Sequence, residues 1–494
     1  MKNLKILKVL SSLSNKELRE FEKFISSTYY NEGRNYLPLI KILKKYHPEF
    51  DHPKLTQEFI FKKAFNGKNF NRKVLLNRMS KVNIILEEYL IQKAVDEDKL
   101  KRKLLLAKSL LKRGNIEYYK TVSANIGKEI KSLPADKSLL MEKELLKLNA
   151  EYYYSNSDFY NAGNCIEKLT LYNFLTDFIV LMDCNHDSHN YKHYFDYKNE
   201  LGVVNDVLNA GHIESTFAKI AEYDFPHKDL FTLLFNCYKL GVNTADDSIF
   251  HATKKYFYRF YKSISKELLY KVYANLNEYC TKKINQGFGG FVKHKFEICK
   301  FFVGSGLFSE HYNLSANNKY LDAVQFINTV QTGILAKELD WAESFIVLYS
   351  KYLMPEEKEA VYDFCYAKIY ASRGDFVKAL ESVKRVKMNS DYYNVETKVL
   401  YLKILFMLNN YVESSNVVES IRHILKKRNV ISENRKERYG EFVKYYNMVF
   451  ELKLTFNVKT YKLLNKEISE KSNMPGSLLG WLLNRLEEIK SVYS

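Results

Sequence analysis

The sequence predicts an all-α protein, a right-handed α-solenoid of helix pairs preceded by an N-terminal helical module, and three observations carry that prediction. The first is a pattern of turn, small residue and aliphatic residue that recurs three times between about residues 333 and 427. Its middle copy has the turn Gly374-Asp375-Phe376, with Ala367 and Tyr370 on the helix before it and Ala379, Val383 and Val386 after it. The next copy turns at Asn409-Asn410-Tyr411, with Leu402, Leu405, Ser414, Val418 and Ile421 at the same offsets. The preceding copy is read at Leu339-Asp340-Trp341, with Thr332, Leu335, Ser344 and Leu348. Asp340, Asp375 and Asn410 then stand 35 residues apart each time (375 − 340 and 410 − 375), which fits a tetratricopeptide-like pair of about 34 residues per unit.

The second observation is that the 494 residues contain only seven prolines, each at an expected helix edge, where a missing N–H and a fixed φ are tolerated. The third is that the pattern reaches beyond the regular stretch. Ser157-Asp158-Phe159 is preceded by Ala150 and Tyr153 and followed by Ala162, Ile166 and Leu169, and Gly114-Asn115 forms a fainter copy with Ala107, Leu110 and Ile126. Small residues at these places allow two helices to approach, and the aliphatic ones fill the space against the next pair.

Taken in order, residues 1–95 form the N-terminal helical module. Ser14 and Glu17 make a capping box, in which each side chain satisfies an exposed N–H of the first turn, and Leu18, Phe21, Phe24 and Ile25 mark the inward face. A second helix runs over about 36–46, a third is capped by Thr56 and closes at Asn66-Gly67, and a long fourth starts at Asn71 with Val74, Leu75, Met79, Val82, Ile85, Leu86 and Leu90 at helical spacing. Residues 96–318 are an irregular helical-repeat region, with helices expected near 170–184, 198–210, 228–240, 247–262, 265–285 and 291–303. Residues 319–430 hold the regular tetratricopeptide-like repeats. Residues 431–494 supply capping helices, the last carrying Leu478, Leu479, Trp481, Leu482, Leu483 and Leu486.

Composition narrows the function classes. With 46% hydrophobic and 27% charged residues the chain should fold throughout. Six cysteines stand without a C-x-x-C pair, as buried free thiols in a reducing compartment would. Residues 1–14 carry Lys2, Lys5 and Lys8 where a signal peptide needs an apolar core, and no run of about 18 uncharged apolar residues occurs. A soluble, cytoplasmic protein is expected. The formal charge of +18 invites a nucleic-acid reading, but the lysines are spread over nearly every helix, and a chain rich in Lys, Asn, Tyr, Phe and Ile is what an AT-rich genome encodes.

Three candidate sites follow. In a tetratricopeptide stack the first helix of each pair lines a concave groove, and residues six before the turn point into it; these are Lys368 and Lys403, with Lys337 nearby and Phe364 and Phe406 flanking. Cations there suit the carboxylates of an extended acidic peptide, and rings bury its apolar side chains. The second candidate is the basic fourth helix, where Arg72, Lys73, Arg78 and Lys81 could face phosphate in an arrangement loosely similar to a helix-turn-helix, without a strand pair for a wing. The third is the run holding Cys184, His189 and His193: the two histidines, four apart, would share a helix face and could grip a borderline metal, although no Glu lies between them as in a zinc protease. The Gly287-Phe288-Gly289-Gly290 and Gly304-Ser305-Gly306 clusters read as turns, no G-x-S-x-G occurs, and neither a catalytic residue nor a cofactor motif is assigned.

Several segments, Leu13-Ser14 with Glu20-Phe21 and Phe24-Ile25, Lys283 to Gly287, Asp340 to Glu343, Gly374-Asp375-Phe376 with Ala379-Leu380, and Trp481-Leu482-Leu483, resemble a family of uncharacterised bacterial helical-repeat proteins of about this length. The resemblance implies an all-α curved body and brings no catalytic residues. The expected function is a non-enzymatic protein–protein interaction scaffold that binds a partner in its groove, with a nucleic-acid-binding regulator as the alternative and a metal enzyme as the third reading.

Overall fold

The computed structural model describes residues 4–67, 69–195, 213–242, 246–312, 314, 320–388, 391–426, 433–471 and 478–493. Among these, the regular elements are helices, and the one β-bridge pairs Leu321 with Leu353. Helices adjacent in sequence pack as neighbouring pairs. No helix of the described residues is long and apolar enough to cross a membrane. The chain divides into two compact units, residues 1–132 with 144–166, and residues 133–143 with 167–494.

In the first unit the N-terminal module has its own core, in which Leu18, Phe21, Ile25, Ile40, Ile60, Leu75, Val82 and Leu86 are all buried. Its helix starts follow local chemistry. Ser14 accepts from the Glu17 N–H while Glu17 accepts from the Ser14 N–H, and Thr56 and Asn71 accept from the N–H groups of Phe59 and Val74. A short helix at Lys5–Ser11 buries Ile6, Leu7 and Leu10 in the same core. Lys5 and Lys8 are exposed on the other side of that helix, the alternation of a helical period in a short segment.

One turn geometry recurs at Gly114, Ser157, Gly287, Lys337, Gly374 and Asn409. Each of these residues has a left-handed φ, from 59° at Ser157 to 94° at Gly287. Each donates its N–H three residues back, and the following N–H reaches five residues back: Glu338 to Gly333, Asp375 to Tyr370, Asn410 to Leu405, all within 3.0 Å. These bonds satisfy the last carbonyls of one helix as the next begins. In the 374 and 409 turns the next residue, Asp375 or Asn410, also caps the following helix through its side chain.

This geometry corrects the register of one copy. The turn expected at Leu339-Asp340-Trp341 is already the first turn of the helix Leu339–Tyr349; the left-handed residue is Lys337, and Glu338 precedes the helix. The successive turns are therefore 37 residues apart and then 35 (374 − 337 and 409 − 374). With that shift the buried counterparts of Ala367, Tyr370 and Ala379 are Val330, Gly333 and Ala342. Ser344 and Leu348, expected inward, face outward, with Leu348 61% exposed. The turn was misplaced because a lysine in left-handed conformation gives no sequence signal, whereas Gly374 and Asn409 do.

Elsewhere the second unit follows the expected helices closely, with Lys228–Val242, Asp247–Phe260, Lys266–Asn285 and Phe291–Gly304 in place. A break near residue 170 does not occur, and Phe159–Phe195 is one helix. Nothing in that run interrupts it, since it holds a single glycine at 163 and no proline. The helix expected at 198–210 lies outside the described residues. At the C-terminal end Tyr439, Phe442, Tyr446, Phe450, Leu464, Leu482 and Leu486 form one continuous core.

Candidate cationic cavity

Within the second unit, three helices that each precede a left-handed turn, together with the last helix and Phe376, line a half-open cavity of about 590 Å³. The helices are Ala323–Leu335, Pro355–Arg373, Asp391–Met407 and Leu478–Tyr493. In the corrected register the same two offsets from the turn supply its wall each time. Ile327, Phe364 and Val399 stand ten residues before the left-handed residue, and Gln331, Lys368 and Lys403 stand six before it. Trp481 and Arg485 enter from the last helix, and Glu396 is a carboxylate on the same wall.

Three cations and one carboxylate thus share a half-open cavity. Lys368 Nζ donates to Gln331 Oε1 at 2.8 Å and lies 4.6 Å from the Phe364 ring centroid. Lys403 Nζ has no hydrogen-bond acceptor among the described residues and lies 5.4 Å from the Trp481 ring centroid. Arg485 is also 5.4 Å from that ring, reaches Met407 Sδ with Nη1 and pairs with Glu488 through Nη2 at 2.5 Å. Its Nε is buried without a partner among the described residues. Glu396 accepts from the Tyr439 hydroxyl.

The electrostatic consequence is strain on the lysines. Burial, which disfavours the ammonium, drives Lys403 down to about 8; Glu396 opposes this, and the positive charges of Lys368 and Arg485 add to it. Lys368 is lowered as well, first by burial, with Glu396 again opposing. Aromatic faces near all three cations offset part of the lost hydration. They do not supply the missing negative charge.

The other sequence candidates are placed as follows. Phe364 is 1% exposed and forms cavity wall, whereas Phe406 is 2% exposed and packs on Tyr446, Phe450 and Trp481 away from the cavity lining. Lys453 lies over the Phe406 ring and donates to its carbonyl oxygen at 2.9 Å. Lys337 is the exposed turn residue and lies outside the lining. Gln331, Glu396, Trp481 and Arg485 were missed. Gln331 was hidden by the two-residue slip, and the last two by distance in sequence.

On the basic helix, Arg72–Glu97, residues Arg72, Lys73 and Lys81 are exposed, but Arg78 lies over the rings of Tyr36 and Phe65, at 4.8 and 5.8 Å. The preceding helix ends at Ala64, eight residues before Arg72, against the turn of about three or four in a helix-turn-helix. Of the metal candidates, Cys184 is exposed, and the side chains of His189 and His193 lie outside the described residues. The other five cysteines are buried and outside any disulfide, and burial pushes Cys237, Cys280 and Cys365 up to about 12, far from a nucleophilic thiolate. Comparison with protein-family models, curated proteins and solved structures finds no match to this chain.

Proposed function

We propose that the chain is a non-enzymatic protein–protein interaction scaffold whose second unit stacks tetratricopeptide-like helix pairs, and that it holds an acidic, extended segment of a partner protein over the cationic cavity. The observation that carries this reading is the Lys403 ammonium, which faces a cavity with no acceptor among the described residues while two further cations stand on the same wall. Keeping like charges together at a site of lowered hydration costs stability, and such a cost is retained where a ligand of opposite charge repays it. An aspartate or glutamate side chain supplies that charge, and Phe364, Trp481 and Leu478 offer apolar surface to its neighbours.

The test is fluorescence anisotropy with a labelled peptide of alternating Asp and Leu residues. Lys368→Met and Lys403→Met together should weaken binding about 100-fold, at roughly 1–2 kcal/mol for each cation removed. Affinity should also fall with salt. Binding that is unchanged in the double variant, with its helicity intact by circular dichroism, excludes the cavity as the recognition site.

A further inference from the structure

We propose that Lys403 is a covalent capture site for a small anionic aldehyde, held in the cavity by its anion and bonded to the Lys403 amine as an imine. The cavity, about 590 Å³, falls within the range of roughly 300–1,000 Å³ that suits small organic ligands. It is the environment of one amine in particular. Lys368 shares the space but commits its Nζ to Gln331, while other enclosed lysines are engaged elsewhere, Lys283 with Asp247 at 2.5 Å and Lys295 with the Thr281 hydroxyl at 2.8 Å. Lys403 alone of these faces open space without an acceptor among the described residues.

The chemistry needs a neutral amine and a nearby positive field, and these usually conflict. Here the same neighbours supply both. Lys368 and Arg485 help keep Lys403 low, so at pH 7 about a tenth of it is neutral, against about 0.03% for a lysine of ordinary pKa. The Arg485 guanidinium and the Lys368 amine, donating to Gln331, draw the anion. The neutral Nζ attacks the carbonyl carbon; its two N–H bonds and the C=O bond break, and a C=N bond and one water molecule form. No oxidant or reductant enters. Glu396, on the same wall, is the carboxylate able to carry a proton from nitrogen to oxygen.

The inference rests on the cationic-cavity reading for its anion only, and the experiment separates the two. The full chain is treated near pH 7 with substoichiometric pyridoxal 5′-phosphate or with pyridoxal, reduced with borohydride, digested and mapped. The phosphorylated aldehyde should label Lys403 about tenfold above any other lysine, and pyridoxal should label it several-fold less, because it lacks the anion. Label spread over many lysines without excess at Lys403 overturns the proposal, as does equal labelling of Lys403 by the two aldehydes. The mapping is read on the unaltered chain, so it needs no variant to fold; Lys403→Arg should then lose the label. If the Asp/Leu peptide binds while Lys403 stays unlabelled, capture fails and the groove reading stands. If Lys403 is labelled and the peptide neither binds nor protects it, the groove reading fails and capture stands.

Discussion

Lys368 donates to Gln331 across 2.8 Å, and the two residues occupy the same place on successive helices, six before the left-handed residue that ends each one. Lys403 holds that place on the third helix but has no glutamine to donate to. The row Gln331, Lys368, Lys403 therefore grades from a neutral amide, through a partnered cation, to a cation facing the cavity. This gradation makes the Lys403 end the place where an anion gains most.

Removing that charge should stabilise the protein. Lys403→Met keeps the aliphatic stem and its packing on Trp481, and relieves repulsion from Lys368 and Arg485. The expected gain is about 1 kcal/mol, roughly 1–3 °C in thermal midpoint for a chain of this size. A lower midpoint in this variant would mean that Lys403 is held by a partner in the folded chain.

The same residue predicts a pH response. Its folded pKa, about 8, lies below the unfolded value, so between the two the unfolded chain binds the extra proton and stability rises with pH. The penalty is fully present below pH 8, is relieved as pH climbs through 8, and is gone above the unfolded lysine value. Denaturant midpoints measured from pH 7 to 9.5 should rise in the unaltered chain and be flatter in Lys403→Met. Higher pH is uninformative, because the raised pKa values of tyrosines such as the half-buried Tyr401 and the buried Tyr446 then remove stability. Anion binding should follow the reverse course and weaken through pH 8, as the ammonium is lost.

What was readable in the sequence depended on which residues mark a turn. Gly374 and Asn409 announce a left-handed conformation, so both helices around them, and the inward positions of Lys368 and Lys403, were legible. Lys337 adopts the same conformation without a compositional sign, and Asp340 lay at an attractive 35-residue spacing, so the first copy slipped by two and Gln331 went unnoticed. Phe406 was placed beside the groove because it follows Lys403 by three. A residue three further along a helix lies near the same face, offset by about 60°, and here that offset turns Phe406 from the cavity onto Tyr446 and Phe450 of the 433–454 helix. Trp481 and Arg485 complete the cavity from more than 70 residues away from Lys403, a juxtaposition no local pattern encodes.

The corrected register can be tested with one pair of substitutions. Ala342 is fully buried where the helices 323–335 and 339–349 meet, and Ser344, two residues on, is exposed. Ala342→Leu should destabilise by about 1–3 kcal/mol through overpacking, and Ser344→Leu should stay within about 0.5 kcal/mol. The 35-residue register requires the opposite order, so chemical denaturation of the two variants decides between them.

Gly333 gives the sharpest consequence of that register. It is the counterpart of Tyr370 and Leu405 but has no side chain, because Trp341 occupies the space; a Cβ there would come within 2.9 Å of the Trp341 ring and 3.0 Å of the Ala342 Cβ. Trp341 is itself wedged edge-on against Phe296 and stacked near Phe345, so it cannot retreat without disturbing both. An alanine in a helix interior normally gains about 1 kcal/mol over glycine. Gly333→Ala should instead lose about 1–3 kcal/mol, the cost of pushing the two helices apart. Because Gln331 lies two residues earlier on the same helix, the shift should also loosen its bond to Lys368, so peptide affinity and stability should fall together. A Gly333→Ala variant as stable as the unaltered chain would show that the two helices do not approach this closely at Trp341.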